Sequence, residues 1–168
     1  VSAVVVRGAQ RVRVYSLHLP SPLAISGGSR KAQLRALAAD ATSVNLYKVL
    51  AAALMLQRAD APGRRRIVSE RDNFPTDLYI AQSLAQQRGC ELVLVGVGEI
   101  PAQVDERLAV LMLTHVNYRT GRMHDLVALT ASAHAAGALV VWDLAHSTGA
   151  VPVDLAGAVA DLLGVDSH

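Results

Sequence analysis

Apolar residues follow two spacings along the chain. From residue 44 onward, short continuous apolar runs alternate with longer segments whose apolar positions have helical spacing. The runs predict strands in RRRIVSE, ELVLVGV, LAVLMLTHV and ALVVWDL. Continuous apolar strands are typical of a parallel sheet that is covered by helices on both faces. Strands and helices that alternate through short links therefore predict an α/β fold with a mostly parallel sheet flanked by helices.

The helices are predicted between these strands. They cover VNLYKVLAAALMLQR, TDLYIAQSLAQQRG and LVALTASAHAAG, and a separate short helix is predicted in RKAQLRALAA. Thr42 and Ser43 precede the first long helix and are residue types that cap helix N-termini. Gly89 and Gly137 are the expected ends of the other two. Residues 1–28 predict two short strands, because RVRVYSLHL alternates polar and apolar residues.

Composition narrows the class of protein. The chain is 52% hydrophobic and 18% charged, which predicts a globular domain with a core of its own. The densest basic cluster is Arg64–Arg66, which we expect to be a solvated loop before a strand. Because no aromatic residues are interleaved with it, no nucleic-acid partner is expected.

Two further absences set expectations for the environment. Cys90 is the single cysteine, so we expect neither an intrachain disulfide nor a cysteine metal site, and this fits a reducing cytoplasm. No apolar run reaches the ~18–20 residues of a membrane span, so no membrane partner is expected.

Polar residues collect where the predicted strands end. In parallel sheets, ligands bind beyond the carboxyl ends of the strands. Four groups are expected to converge there: Thr42 and Ser43; Phe74 and Asp77; Thr114; and Asp143 and His146. Together they provide a helix N-terminus for a phosphate, an aromatic plate, a buried carboxylate and a hydrogen-bonding histidine. Those are the groups needed to hold pyridoxal 5′-phosphate, whose ring acts as an electron sink when a carboxylate keeps its nitrogen protonated.

Each of these residues taken alone has a simpler interpretation. Thr42 and Ser43 are ordinary helix caps, Phe74 is an ordinary core residue, and Asp77 suits the dipole of a helix N-terminus. Thr114 and His146 are equally compatible with structural roles. Asp143 fits a structural role least well, because a carboxylate at the end of a buried strand requires a cationic or hydrogen-bonding partner.

Longer motifs carry a resemblance to a known family. DATSVNLYKVLAAAL, IVSERDNFPTDLYIAQ, LMLTHVNYRTGRMHDL and VVWDLAHSTGAVPVDL resemble the kynureninases, pyridoxal-phosphate hydrolases of the fold-type-I aminotransferase superfamily. The resemblance covers about residues 38–156. It implies that residues 38–168 are part of the large, cofactor-binding domain, and that residues 1–37 are an N-terminal segment outside the match.

The resemblance also implies a role for each site residue. Thr42 and Ser43 would contact the cofactor phosphate, and Thr114 would add a hydroxyl. Phe74 would stack on the pyridine ring, with Asp77 beside it. Asp143 would face the ring nitrogen, and His146 would help to hold the cofactor.

The implied reaction is the hydrolysis of L-kynurenine, or its 3-hydroxy form, to an anthranilate and L-alanine. The family acts in tryptophan breakdown, which supplies NAD biosynthesis, as a cytoplasmic homodimer. Its Schiff-base lysine lies some twenty-odd residues beyond the motif WDLAH, where this sequence has AGAVADLLGVDSH. The lysines present are Lys31 and Lys48, and neither matches that position. We therefore expect a fragment or truncated copy, inactive as these 168 residues alone.

Three other functions stay open on the sequence. One is a non-catalytic cofactor-binding or interaction module, which the missing lysine favours. Another is a different hydrolase or a desulfurase of the superfamily, which Phe74 disfavours because those enzymes place a histidine over the ring. A doubly wound nucleotide-binding domain is disfavoured because no glycine-rich fingerprint follows a strand.

Overall fold

The computed structural model describes residues 2–7, 10–15, 28–147, 150–153 and 162–164. Only the backbone is described for 2–7, 10–15, 28–43 and 162–164. Two N-terminal strands, β1 (Ser2–Arg7) and β2 (Gln10–Tyr15), pair antiparallel, as the alternating pattern predicts.

Five further strands form the main sheet. They are β3 (Arg66–Glu70), β4 (Glu91–Val95), β5 (Leu108–Thr114), β6 (Leu139–Asp143) and β7 (Leu162–Gly164). The order across the sheet is β4-β3-β5-β6-β7, and every neighbouring pair is parallel. The predicted α/β fold with a mostly parallel sheet is confirmed, whereas β7 lies in a segment for which we predicted no strand.

Helices cover both faces of the sheet. They are α1 (Gly28–Asp60), α2 (Pro75–Arg88) and α3 (Leu126–Ala135), with a 3-10 helix over Val97–Gln103. Residues of α1 and α2 pack on one face, against Ile67, Val110 and Met112. Residues of α3 and the 3-10 helix pack on the other, against Val68, Leu111 and Trp142. Both faces are buried because successive strand residues point to opposite sides, which explains the continuous apolar runs.

The predicted start of the long helix is wrong. Thr42 and Ser43 lie inside α1, which runs without a break from Gly28 to Asp60, and do not cap a second helix. Alanine and leucine around these positions favour a continuous helix over the local hydrogen bonds that Thr and Ser offer. The two predicted helix ends are confirmed, because Gly89 and Gly137 have positive φ angles of 64° and 79°. No helix within the described ranges is long and apolar enough to cross a membrane.

The basic cluster is wrongly predicted as a solvated loop. Arg65 is exposed, but Arg66 is only 5% exposed and begins β3. Its guanidinium forms ion pairs with Asp105 at 3.0 Å and with Glu91 at 3.7 Å. Arg64 is half-buried and donates to the carbonyl oxygens of Asp105 and Leu108. These contacts join the residues that surround the amino ends of β3, β4 and β5.

Candidate active site

The carboxyl ends of β5 and β6 place Thr114 and Asp143 side by side. The two residues are register partners and the last residues of their strands. Both are buried, with exposures of 6% and 8%. The Thr114 hydroxyl lies 3.3 Å from Asp143 Oδ2, and the backbone N–H of Ala145 donates to Asp143 Oδ1 at 2.9 Å. Asp143 is therefore held by neutral donors.

A second carboxyl group reaches Asp143 from α2. Asp77 lies in the first turn of this helix, which begins with Pro75 after Phe74 as its N-cap. Its side chain is only 4% exposed and hydrogen-bonds to Asp143. Its Oδ2 atom is buried without a hydrogen-bond partner. Two acids that are far apart in sequence thus form one buried pair.

Burial and proximity change how this pair binds protons. The pKa of Asp77 is raised to about 8, first by burial and then by the charge of Asp143 and the hydrogen bond to it. Burial also raises the pKa of Asp143, and the Ala145 N–H, His146 and Thr114 oppose this rise. At neutral pH, Asp77 therefore keeps its proton and donates it to Asp143, so the pair carries one negative charge.

The pair has no strong cation beside it in the described part of the chain. The ion pairs found there join other residues, and no lysine or arginine bridges Asp77 or Asp143. His146 contributes only a favourable charge interaction with Asp143. The negative charge of the pair is therefore buried with no lysine or arginine of the described residues beside it, and Oδ2 of the protonated Asp77 has no hydrogen-bond partner. Such an arrangement suits a cationic ligand.

Asn73 connects the strand ends; the sequence placed it at this edge but did not indicate these contacts. Its amide nitrogen donates to Ser69 Oγ at 3.0 Å, and its Oδ1 accepts the Phe74 N–H at 2.7 Å. The same oxygen accepts the Thr114 hydroxyl. The Thr114 hydroxyl has one proton to donate, so Asn73 Oδ1 and Asp143 Oδ2 compete for it. Asn73 is 5% exposed, and these bonds hold the loop before α2 against β5.

Three rings surround the mouth of the site. Phe74 is 39% exposed, so the interpretation of this residue as ordinary core is wrong. Its ring meets Tyr118 edge-on, with centroids 5.3 Å apart. The ring of Tyr118 stacks on the exposed His146 at 6.4 Å. An exposed ring beside a buried acid pair is suited to bind a planar, positively charged ring.

Three of the four predicted groups converge. Phe74 and Asp77, Thr114, and Asp143 with His146 are brought together at the carboxyl end of the sheet. The side chains of Thr42 and Ser43 lie outside the described ones. Their predicted contact with a phosphate therefore stays a prediction.

His115 and Tyr118 were expected at this edge from their position after β5, but the sequence assigned them no role. His115 follows β5, is 5% exposed, and meets Trp142 edge-on at 6.0 Å. Its Nδ1 atom is buried without a partner, and burial lowers the pKa of its imidazole, with the charge of His124 adding to the effect. The position of His115 and Tyr118 just after Thr114 was the sequence signal for this placement, because residues that follow a strand of a parallel sheet reach its ligand-binding end.

Comparison with known proteins places the chain in a class. It belongs to the aminotransferase class-V family, whose model matches residues 47–168. Within that class it is similar to kynureninases: it is 54% identical over 152 residues to that of Pseudomonas fluorescens, covering 89% of this chain and 36% of that protein. It is 58% identical over 125 residues to that of Burkholderia mallei (strain SAVP1), covering 73% of this chain and 30% of that protein.

The matches cover most of this chain but only part of each relative. The chain spans about a third of the length of these curated relatives. The 152-residue alignment is longer than residues 38–168, so it reaches into the N-terminal segment. The boundary between residues 37 and 38 stays a prediction.

A solved structure shows the same fold. The apo cysteine desulfurase from Thermococcus onnurineus NA1 superposes with a TM-score of 0.61 and 25% identity, over 73% of this chain and 31% of that one. The fold is that of part of a fold-type-I pyridoxal-phosphate enzyme, as predicted. The family and the kynureninase relatives imply pyridoxal 5′-phosphate as the cofactor. The residues fit this group, since a buried acid pair that carries a negative charge suits a protonated pyridine nitrogen.

Proposed function

We propose that this chain is the cofactor-binding part of a kynureninase. The reaction is the hydrolysis of L-kynurenine or 3-hydroxy-L-kynurenine to an anthranilate and L-alanine, in tryptophan catabolism, by a cytoplasmic homodimer. The supporting observation is the buried acid pair of Asp77 and Asp143 beside the exposed ring of Phe74, with no lysine or arginine of the described side chains paired to it. The identities of 54% and 58% to kynureninases support the choice of reaction.

Each side chain of the site has a part in holding the cofactor. Asp143 would hold the pyridine nitrogen, with Asp77 beside it, and Phe74 would stack on the ring. Thr114 donates its hydroxyl toward Asp143, and His146 lies at the exposed side. Thr42 and Ser43 would contact the phosphate. When bound, pyridoxal 5′-phosphate supplies an electron sink for cleavage next to the amino-acid carbon.

The acid pair gives the site its negative charge. Before a cation arrives, the pair has a single negative charge, because Asp77 keeps its proton up to about pH 8. Both acids would have a lower pKa beside a cationic ring nitrogen, because it would stabilise their charged forms. Asp143 would then keep its charge, and burial would shield the interaction from water.

Covalent attachment of the cofactor needs a lysine, and none of the described side chains places one at the site. Lys48 lies on α1 with an exposed side chain, and Lys31 is at the start of the same helix. We therefore expect these 168 residues alone to bind the cofactor reversibly and to turn over no substrate. The same facts favour the second candidate, a non-catalytic cofactor-binding module.

The first experiment is the intact mass of the protein purified from its source, followed by an assay with L-kynurenine. A chain well above 17.7 kDa that releases anthranilate and alanine supports the kynureninase proposal. A cofactor-bearing longer chain that leaves kynurenine intact but desulfurates cysteine overturns it. A chain of 17.7 kDa that binds the cofactor without turnover supports the module instead.

A further inference from the structure

A short hairpin follows β5 and lies over the site. In it, the His124 N–H donates to the His115 carbonyl at 3.0 Å, and Val116 pairs with Met123. Asn117 Oδ1 closes the turn by accepting the N–H groups of Arg119 and Thr120, each at 3.0 Å. We call residues 115–124 the 115–124 hairpin. Its turn is thus built from internal hydrogen bonds, with Tyr118 next to the capping residue.

The base of this hairpin is fixed to the end of β3. Glu70 is 4% exposed, and one of its carboxylate oxygens forms a hydrogen bond with His124 Nε2 at 2.9 Å. The guanidinium of Arg122 pairs with its other oxygen. His124 is 6% exposed and its ring lies against Trp142. One buried carboxylate therefore holds two side chains of the hairpin.

A second contact joins the hairpin to the loop that carries Phe74. The amide of Asn117 donates to the Asp72 carbonyl at 3.1 Å. Glu70 is the last residue of β3, and Asp72 lies in the loop between β3 and Phe74. These two attachments therefore fix the hairpin relative to Phe74. They set the distance of 5.3 Å between the rings of Tyr118 and Phe74.

We propose that Tyr118 is a further ring-binding residue of the site and that Glu70 positions it through His124 and Arg122. The inference rests on the proposed function, because the ring to be bound is that of the cofactor. Tyr118 is 41% exposed although its ring contacts Phe74 and His146, so one side of it is free for a ligand. Glu70 is too deeply buried to reach a ligand at the mouth and acts through the hairpin.

The test is calorimetric binding of pyridoxine 5′-phosphate to the full 168-residue chain. This probe has the ring and phosphate but no aldehyde, so it does not react with Lys31 or Lys48. Tyr118→Ala should weaken binding about tenfold, and Tyr118→Phe should stay within about twofold, because the contact is with the ring face. Tyr79→Ala is the matched control, since Tyr79 is 74% exposed on α2 and contacts none of these rings.

The positioning role is tested by a double-mutant cycle. Glu70→Gln, which keeps the volume of the side chain, should weaken binding in the parent and have no further effect in Tyr118→Ala. If the binding losses of Glu70→Gln and Tyr118→Ala are additive, Glu70 does not act through Tyr118, and its positioning role is overturned. Amide hydrogen exchange without ligand should be faster in the 115–124 hairpin of Glu70→Gln and unchanged in Tyr118→Ala; unchanged exchange in both would also overturn it.

The outcomes separate the two proposals. Binding by the parent that Tyr118→Ala leaves unchanged overturns the role of Tyr118 and leaves the proposed function standing. No binding by the parent overturns both.

Discussion

Buried charges lie at both ends of the parallel sheet, and within the described residues the acid pair at the carboxyl end differs from the others in having no lysine or arginine partner. At the amino end, Arg66 is 5% exposed and pairs with Asp105 and Glu91. At the carboxyl end, Asp77 and Asp143 are buried to the same degree and face each other. The structural cluster contains its own counter-ions, whereas none of the described lysines or arginines pairs with the two acids. The comparison separates a cluster that maintains the fold from the acid pair that we propose to bind a ligand.

The largest expected effect comes from breaking the cluster at the amino end. Asp105→Asn leaves Arg66 buried with only the more distant Glu91, and should lower the free energy of unfolding by about 2 to 3 kcal/mol. Asn keeps the bond that Asp105 Oδ1 accepts from the Arg107 N–H, so the loss reports the charge. Urea denaturation measures it, with the exposed neighbour Glu106→Gln as control. A midpoint equal to that of the control would show that Arg66 does not depend on Asp105.

Removing one acid from the carboxyl end should have the opposite effect on stability. The pKa of Asp77 is about 8 in the folded chain and about 3.9 when unfolded. The folded state therefore binds the extra proton between these values, and its stability falls as pH rises toward 8. Asp77→Asn does not titrate, so its stability relative to the parent should rise by about 2 kcal/mol between pH 6 and pH 8.

Denaturation of both proteins across this pH range provides the measurement. Asp72→Asn is the control, because Asp72 is an exposed acid in the loop before α2. A parent and an Asp77→Asn variant with parallel pH profiles would contradict the buried acid pair.

The smallest expected effect concerns the neutral donors of the site. Thr114→Val removes the hydroxyl that lies between Asn73 and Asp143, and should cost about 1 kcal/mol of stability. Thr114→Ser keeps the hydroxyl and should retain most of it. Thermal unfolding at pH 7 compares the two. A loss in Thr114→Ser as large as that in Thr114→Val would contradict this prediction, because Ser keeps the hydroxyl and lacks only the methyl group.

Much of the fold could be predicted because its signals are local. Continuous apolar strands, Pro75 at the start of α2 and Gly89 at its end lie within a few residues of the structure they specify. The single long α1 was missed because Thr42 and Ser43 have cap-forming side chains that an alanine-rich neighbourhood overrides. Strand β7 was missed because only three residues form it, next to β6.

The site was predicted less completely than the fold. Asp143 stood out because a carboxylate at the end of an apolar strand is conspicuous in any sequence. The pairing of Asp77 with Asp143 joins residues 66 positions apart, and Glu70 meets His124 across 54. Such contacts depend on the order of strands in the sheet, which local patterns do not specify. Charged and polar residues that look ordinary in sequence, such as Glu70 and Asn73, therefore acquired their roles only in three dimensions.

The most direct test of the account is the binding of pyridoxine 5′-phosphate to the parent chain and to Asp143→Asn at pH 7. Asn keeps the bond from the Ala145 N–H and removes the charge, so the variant should bind at least about tenfold more weakly. Glu106→Gln removes an exposed carboxylate elsewhere and should bind as the parent does. Equal affinity of Asp143→Asn and the parent would contradict the claim that a ligand cation completes the buried acid pair.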